Sequence, residues 1–306
     1  MFRGDHPPNG QDFPDHVPTG RFSNGKLIPD LVASILGMKE TIPPFLNRSL
    51  TDDDIRTGVC FASAGSGYDE MTTAVTGAIP MYEQIELFKN YITRLKGIVG
   101  EEEAKKILGG AFIILSSGTN DLVFNYYDIP TRRYQFNTIS GYHDFLLNSL
   151  QSFVQELYNL GGRLMAIAGL PPIGCLSIQI VTRYGSSGNL ACLEDQNSDC
   201  QTYNKKLKSL LTQLQPSLPG SRIIYADIYD PYLTWFLSHK NMVLSRHRGC
   251  CGTGVVEAGS TCNKVTPTCG NASQFMFWDA IHPSESAYKF LTEYLEKSVF
   301  SQFNSI

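Results

Sequence analysis

The sequence has 306 residues, of which 42% are hydrophobic and 18% charged, and its formal net charge is −4. That length and apolar content fit a globular chain of one large domain rather than a disordered one, and a slightly acidic balance without a basic stripe argues against nucleic acid as a partner. No apolar run reaches the roughly 18 residues needed to span a membrane, and the polar, proline-rich start at residues 1–8 lacks the apolar core of a signal peptide.

In chain order, residues 1–26 read as loop, rich in Pro, Gly and Asp. A helix is predicted from Leu27 to Leu36, stopped by Gly37. Thr57 to Ala62 reads as a short buried strand that runs into Ser63-Ala64-Gly65-Ser66-Gly67. Residues 80–98 carry Ile85, Leu87, Phe88, Tyr91, Ile92 and Leu95 at helical spacing. Ala111 to Leu115 is an apolar strand followed by Ser116-Ser117-Gly118-Thr119-Asn120-Asp121. The segment 140–160 puts Leu146, Leu150, Phe153, Leu157 and Leu160 on one helical face. Arg163 to Ala168 is a third strand, leading into Gly169-Leu170-Pro171-Pro172-Ile173-Gly174. A helix over 197–214, a fourth strand from Arg222 to Ala226 and a last helix from Glu285 to Lys297 complete the chain, with no repeat and no linker. Strands alternating with helices imply one α/β domain over residues 1–306, its parallel sheet covered on both faces. In such folds the site lies outside the carboxyl ends of the strands, where the Gly65, Asn120 and Gly169 to Gly174 loops fall.

The segment Phe277-Trp278-Asp279-Ala280-Ile281-His282-Pro283 carries the chemistry. A carboxylate three residues before a histidine can accept from one ring nitrogen and leave the other free as a base. Taken singly, these residues have plainer readings: Asp279 as a helix cap, Asn120 as a turn cap, Gly65 as a site of positive φ. Phe277 and Trp278 read as core or pocket wall. There is no Gly-x-Ser-x-Gly elbow, and Ser63, Ser66, Ser116 and Ser117 lie near the predicted loops without a nucleophile's setting, so the expected nucleophile is none. Seven of the eight cysteines fall between Cys175 and Cys269. Cys250-Cys251, Cys262 and Cys269 in a loop rich in Gly and Thr point to disulfides and an oxidising compartment. Zinc is the weaker reading, because the spacing does not match the usual ligand pairs. No metal or cofactor is expected. Asn47-Arg48-Ser49 and Asn271-Ala272-Ser273 are glycosylation sequons, in keeping with a secretory route.

Six ordered segments then fall into place: 18–30 (PTGRFSNGKLIPD), 58–69 (GVCFASAGSGYD), 116–121 (SSGTND), 169–175 (GLPPIGC), 248–254 (RGCCGTG) and 277–288 (FWDAIHPSESAY). Together they resemble the plant GDSL-type esterase/lipase family of the SGNH hydrolases, across essentially the whole chain. The resemblance implies a flavodoxin-like, three-layer α/β/α fold and a secreted hydrolase of carboxylic esters, acting on a small-molecule or lipid ester through an acyl-serine. It makes His282 the base, Asp279 its orienting partner, and the Gly65 N–H and Asn120 amide the donors to the oxyanion.

This sequence also departs from that pattern. Cys60 stands where the family has asparagine. The family's Gly-Asp-Ser block is absent, since Gly4-Asp5-His6 has histidine in place of the serine. The expectation is therefore an N-terminally shortened domain without its first strand and inactive as it stands, the alternative being a serine-less pseudoenzyme that binds ligand. By resemblance the missing strand lies between 57–62 and 111–115, so both neighbours lose backbone partners. Also by resemblance, Cys175 pairs with Cys192, and Cys250 and Cys251 pair with Cys262 and Cys269 in an unassigned order. Cys60 is the candidate free thiol.

Overall fold

A computed structural model describes residues 3–129, 131–185, 191–238 and 248–303. Three short strands, β1 (Phe112–Leu115), β2 (Leu164–Ala168) and β3 (Arg222–Ala226), form a parallel sheet in the order β1-β2-β3. Phe112 lies opposite Leu164, and Leu164 opposite Arg222. The sequence is built to bury both faces. In β2, Met165 and Ile167 point into the main core, while Ala166 and Ala168 point into a second cluster on the other face. A period of two is the geometry of a strand.

The helices complete the layers. The main face is covered by α4 (Met81–Val99), α6 (Ile139–Asn159) and α8 (Glu194–Leu214), through Leu95, Leu146, Leu150 and Leu207. The second face is covered by Leu295 and Val299 at the end of the last helix, with Ile28 from α1 (Ile28–Ile35) beside them. Small residues on the β2 face let that last helix approach closely. The result is the expected three-layer α/β/α arrangement. Connecting these are α2 (Asp52–Thr57), α3 (Glu70–Thr76), α5 (Glu101–Gly110), α7 (Ser177–Tyr184), α9 (Tyr229–Ser238) and the last helix, α10 (Glu285–Ser298).

The predicted strand at 57–62 does not form. Thr57 instead closes α2, whose start is fixed by a reciprocal cap: Thr51 accepts from the Asp54 N–H, and the Asp54 carboxylate accepts from the Thr51 N–H. Downstream, the segment makes a single bridge between Cys60 and Pro44. A strand needs a neighbour whose row of donors and acceptors it can meet. Among the described residues, neither this segment nor the outer edge of β1 has one. Accordingly Phe112, Ile113 and Ile114 are only half-buried, whereas β2, paired on both sides, is almost entirely buried.

Six cysteines are paired as Cys175–Cys192, Cys250–Cys269 and Cys251–Cys262, which settles the order that the spacing left open. Cys60 is a free thiol as expected, half-buried rather than on a buried strand, and burial pushes its thiol upward. Cys200, on α8, is a second free thiol, fully buried. No helix among the described residues is long and apolar enough to cross a membrane.

Candidate active site

Asp279 and His282 lie on a tight turn just before α10. One carboxylate oxygen of Asp279 accepts the backbone N–H groups of Ile281 (2.9 Å) and His282 (2.7 Å). The other accepts from His282 Nδ1–H at 2.8 Å. The turn is closed by the Trp278 N–H, which donates to the His282 carbonyl, and Ser284 caps α10 by accepting from the Ala287 N–H. Asp279 is fully buried, while the His282 side chain is 29% exposed. A buried carboxylate thus fixes the imidazole orientation and tautomer. Nε2 has no hydrogen-bond partner among the described residues.

The ring is held from a second side by the N-terminal arm. Phe22 stacks on it, with centroids 4.9 Å apart and planes inclined by 19°. The surrounding loop is tied down by long-range bonds. Ser23 Oγ donates to the Pro283 carbonyl, Asn24 accepts the Glu285 N–H, and fully buried Trp278 donates its indole N–H to Asn9 at 2.9 Å. Trp278 and Phe277 are core residues, as their apolar bulk implies.

Gly65 and Asn120 meet at a second point. Gly65 has φ of +87°, a conformation in which a Cβ would be strained and would also press on Thr76. Its carbonyl accepts from Thr76 Oγ1, and its N–H is unengaged among the described residues. Asn120 follows β1 and donates one amide hydrogen to the Ser66 carbonyl at 2.9 Å, leaving the other unengaged. The two donor groups therefore sit on contacting loops. Among the described residues, no hydrogen bond joins this pair to the Asp279–His282 pair.

Beneath these loops lies a buried polar network that sequence reasoning missed. Asp121 is fully buried. Its carboxylate accepts the backbone N–H groups of Tyr68 (2.9 Å) and Asp69 (3.0 Å) and the hydroxyl of Thr72 (2.5 Å). Burial pushes its carboxyl up to about 7, reinforced by the charge of Asp69 and opposed by those three donors. Asp69 caps α3 through the Met71 N–H and receives a two-pronged ion pair from Arg132, with bonds of 2.6 and 2.7 Å. Burial works against its ionisation, but Arg132 and the Met71 N–H hold it below the usual carboxylate range. Asn125 and Tyr142 close the network from the π-helical segment Asp121–Asp128 and from α6. The available signal was the carboxylate directly after Asn120 and the one closing the 58–69 motif, both in otherwise apolar surroundings.

Comparison with known proteins gives a consistent picture. Residues 4–295 match the family described as GDSL-like Lipase/Acylhydrolase. Two proteins of Arabidopsis thaliana, each named a GDSL esterase/lipase, are 49% and 48% identical to the chain over all 306 of its residues, which cover 85% of each relative. A third Arabidopsis GDSL esterase/lipase is 39% identical over 305 residues, covering 84% of its own length.

Proposed function

The chain belongs to the GDSL-like lipase/acylhydrolase family, and from that premise we propose that residues 1–306 form one domain whose site serves hydrolysis of carboxylic esters, of small-molecule or lipid type. In this reading His282 is the general base, Asp279 orients it, and the Gly65 N–H and the free amide hydrogen of Asn120 stabilise the oxyanion. The observation that carries it is the buried Asp279 carboxylate on Nδ1 of a half-exposed His282 whose Nε2 is unengaged. That arrangement is what removing a proton from a hydroxyl nucleophile requires. Each oxyanion donor is worth roughly 3 kcal/mol of barrier in such sites.

None of these residues supplies the nucleophile, so residues 1–306 by themselves should not form an acyl-enzyme. Restoring an apolar strand ending in Gly-Asp-Ser beside β1 should confer turnover of a short p-nitrophenyl ester. Replacing His282 by Ala in that protein should lower kcat by roughly 10²–10⁴-fold, the usual contribution of a positioned base. An unaffected rate would refute the assignment. Stoichiometric labelling of any serine of residues 1–306 by a fluorophosphonate would show that the nucleophile is already present. The second reading, a ligand-binding protein without catalysis, is favoured by Gly4-Asp5-His6, where histidine stands in place of the serine. Saturable binding of an ester analogue by a protein that stays inert even with the added serine would support it.

We assign the protein to the secretory route and Asn47 and Asn271 to N-glycosylation. Both are exposed, and each accepts its sequon serine's N–H through Oδ1, leaving Nδ2 free of internal bonds. Three disulfides fit the same compartment. A glycosidase-sensitive mass increase that survives in neither Asn47→Gln nor Asn271→Gln at its own site is the expected result.

A further inference from the structure

Gly65 and Asn120 come from loops more than fifty residues apart, yet donors to one oxyanion must be placed to within a few tenths of an ångström. The contacts that set this distance converge on one side chain. Asp121 Oδ2 accepts the Tyr68 N–H, and Oδ1 accepts both the Asp69 N–H and the Thr72 hydroxyl. A Cβ on Gly67 would stand 2.2 Å from Oδ1, so only glycine lets the loop come this close. Asn120, the next residue back, donates to the Ser66 carbonyl. Residues 66–69 are thus bound to residues 120 and 121 at three backbone groups, the Ser66 carbonyl and the Tyr68 and Asp69 N–H groups.

We propose that Asp121 is a positioning residue for the oxyanion-stabilising loop, its carboxylate holding residues 65–69 against Asn120 so that both donors face the same point. This rests on the reading of Gly65 and Asn120 as oxyanion donors. The carboxylate suits the task because three donors converge on its two oxygens and none of the three has an alternative acceptor there. A protonated carboxyl turns one oxygen into a donor facing an N–H, which releases part of the clamp. The groups facing Asp121 are the Asp69 carboxylate from the start of α3, kept ionised by Arg132; Tyr68 and Thr72 from the loop and α3; Asn125; Tyr142 from α6; and Tyr203 from α8. With Asp69 neutralised by Arg132, the proton taken up by this cluster goes to Asp121.

The test is nuclear magnetic resonance on the full chain, ¹⁵N- and ¹³C-labelled, between pH 5 and 8.5. The backbone N–H of Gly65 and the side-chain amide of Asn120 should move together, with the midpoint of the Asp121 carboxyl carbon, near 7. In Asp121→Asn both signals should lose that titration and sit away from their wild-type positions at high pH. Amide signals of the sheet strands β1 to β3 should keep their wild-type positions, which a general loss of structure would not allow. Thr72→Val removes one donor and keeps the carboxylate, so it should move the midpoint upward. If Asp121→Asn fails to fold, the wild-type and Thr72→Val titrations decide. Gly65 and Asn120 signals that stay fixed while Asp121 titrates, or that match wild type in Asp121→Asn, would overturn the proposal. Because no turnover is read, a failure of the esterase assignment leaves this result standing, and the reverse.

Discussion

His143 offers a sharp test of how the core is held. It lies on α6, fully buried, edge-on to Tyr203 at 5.5 Å, and neither ring nitrogen has a hydrogen-bond partner. Burial, with help from Lys206, lowers its pKa from 6.5 to about 4. The native state therefore keeps the ring neutral between these values while the unfolded chain takes up a proton. Stability from this group is complete above pH 6.5 and lost as pH falls towards 4. At 1.36 kcal/mol per unit the loss comes to about 3 kcal/mol. Asp121 runs the other way: raised from 3.8 to about 7, it favours the folded state at low pH and withdraws that support as pH rises through 7. The two slopes oppose each other over nearly the same range, so wild type should show little net dependence from either. His143→Leu, close in volume and free of unpaired nitrogens, should gain about 3 kcal/mol more over wild type at pH 4 than at pH 7. Urea unfolding followed by circular dichroism at half-unit pH steps measures it. A difference between the two proteins that does not change with pH would show that the native ring is protonated or solvated, and the argument would fail.

Two other expectations are independent of that one. Arg132→Ala should cost about 3–5 kcal/mol, because Asp69, with a side chain only 1% exposed, would be left charged without its partner. Arg132→Lys should recover only part of this, since an ammonium cannot bridge both oxygens; full recovery in thermal unfolding would contradict the two-pronged geometry. Replacing the Cys250–Cys269 pair by alanines opens a loop with a sequence separation of 19 and should cost about 3 kcal/mol. The same melting curve reads it, and an unchanged midpoint would mean that the neighbouring Cys251–Cys262 bond alone sets the loop.

What the sequence showed and what it hid follow a physical divide. Long helices with a clear apolar stripe, such as α4, α6 and α8, were legible because their burial is one-sided and repeats every turn. The three strands that pair were legible as apolar runs after helices. The segment 57–62 reads identically, yet a strand is a property of two chains, and a single run cannot announce whether its neighbour is present. Short helices α5 and α7 were missed. The first begins after Gly100 within one charged turn, and the second is packed by residues that only its tertiary neighbours make apolar. The Asp279–His282 pair was visible because both members lie within one turn. The Asp69–Arg132 pair and the clamp of Asp121 on Tyr68 were not, since their partners are 63 and 53 residues apart and nothing local marks them.

The lacing of the N-terminal arm onto the turn before α10 has a consequence for how the molecule is made. Asn9 with Trp278, Asn24 with Glu285 and Ser23 with Pro283 join positions 260 to 269 residues apart. Such closures are the slowest to form in any chain of this length. Synthesis delivers the arm some 260 residues before its docking site, so during that interval Phe22 has nothing to stack upon. The histidine is therefore seated at the end of assembly, and a protease that clips the arm would unseat it without coming near it.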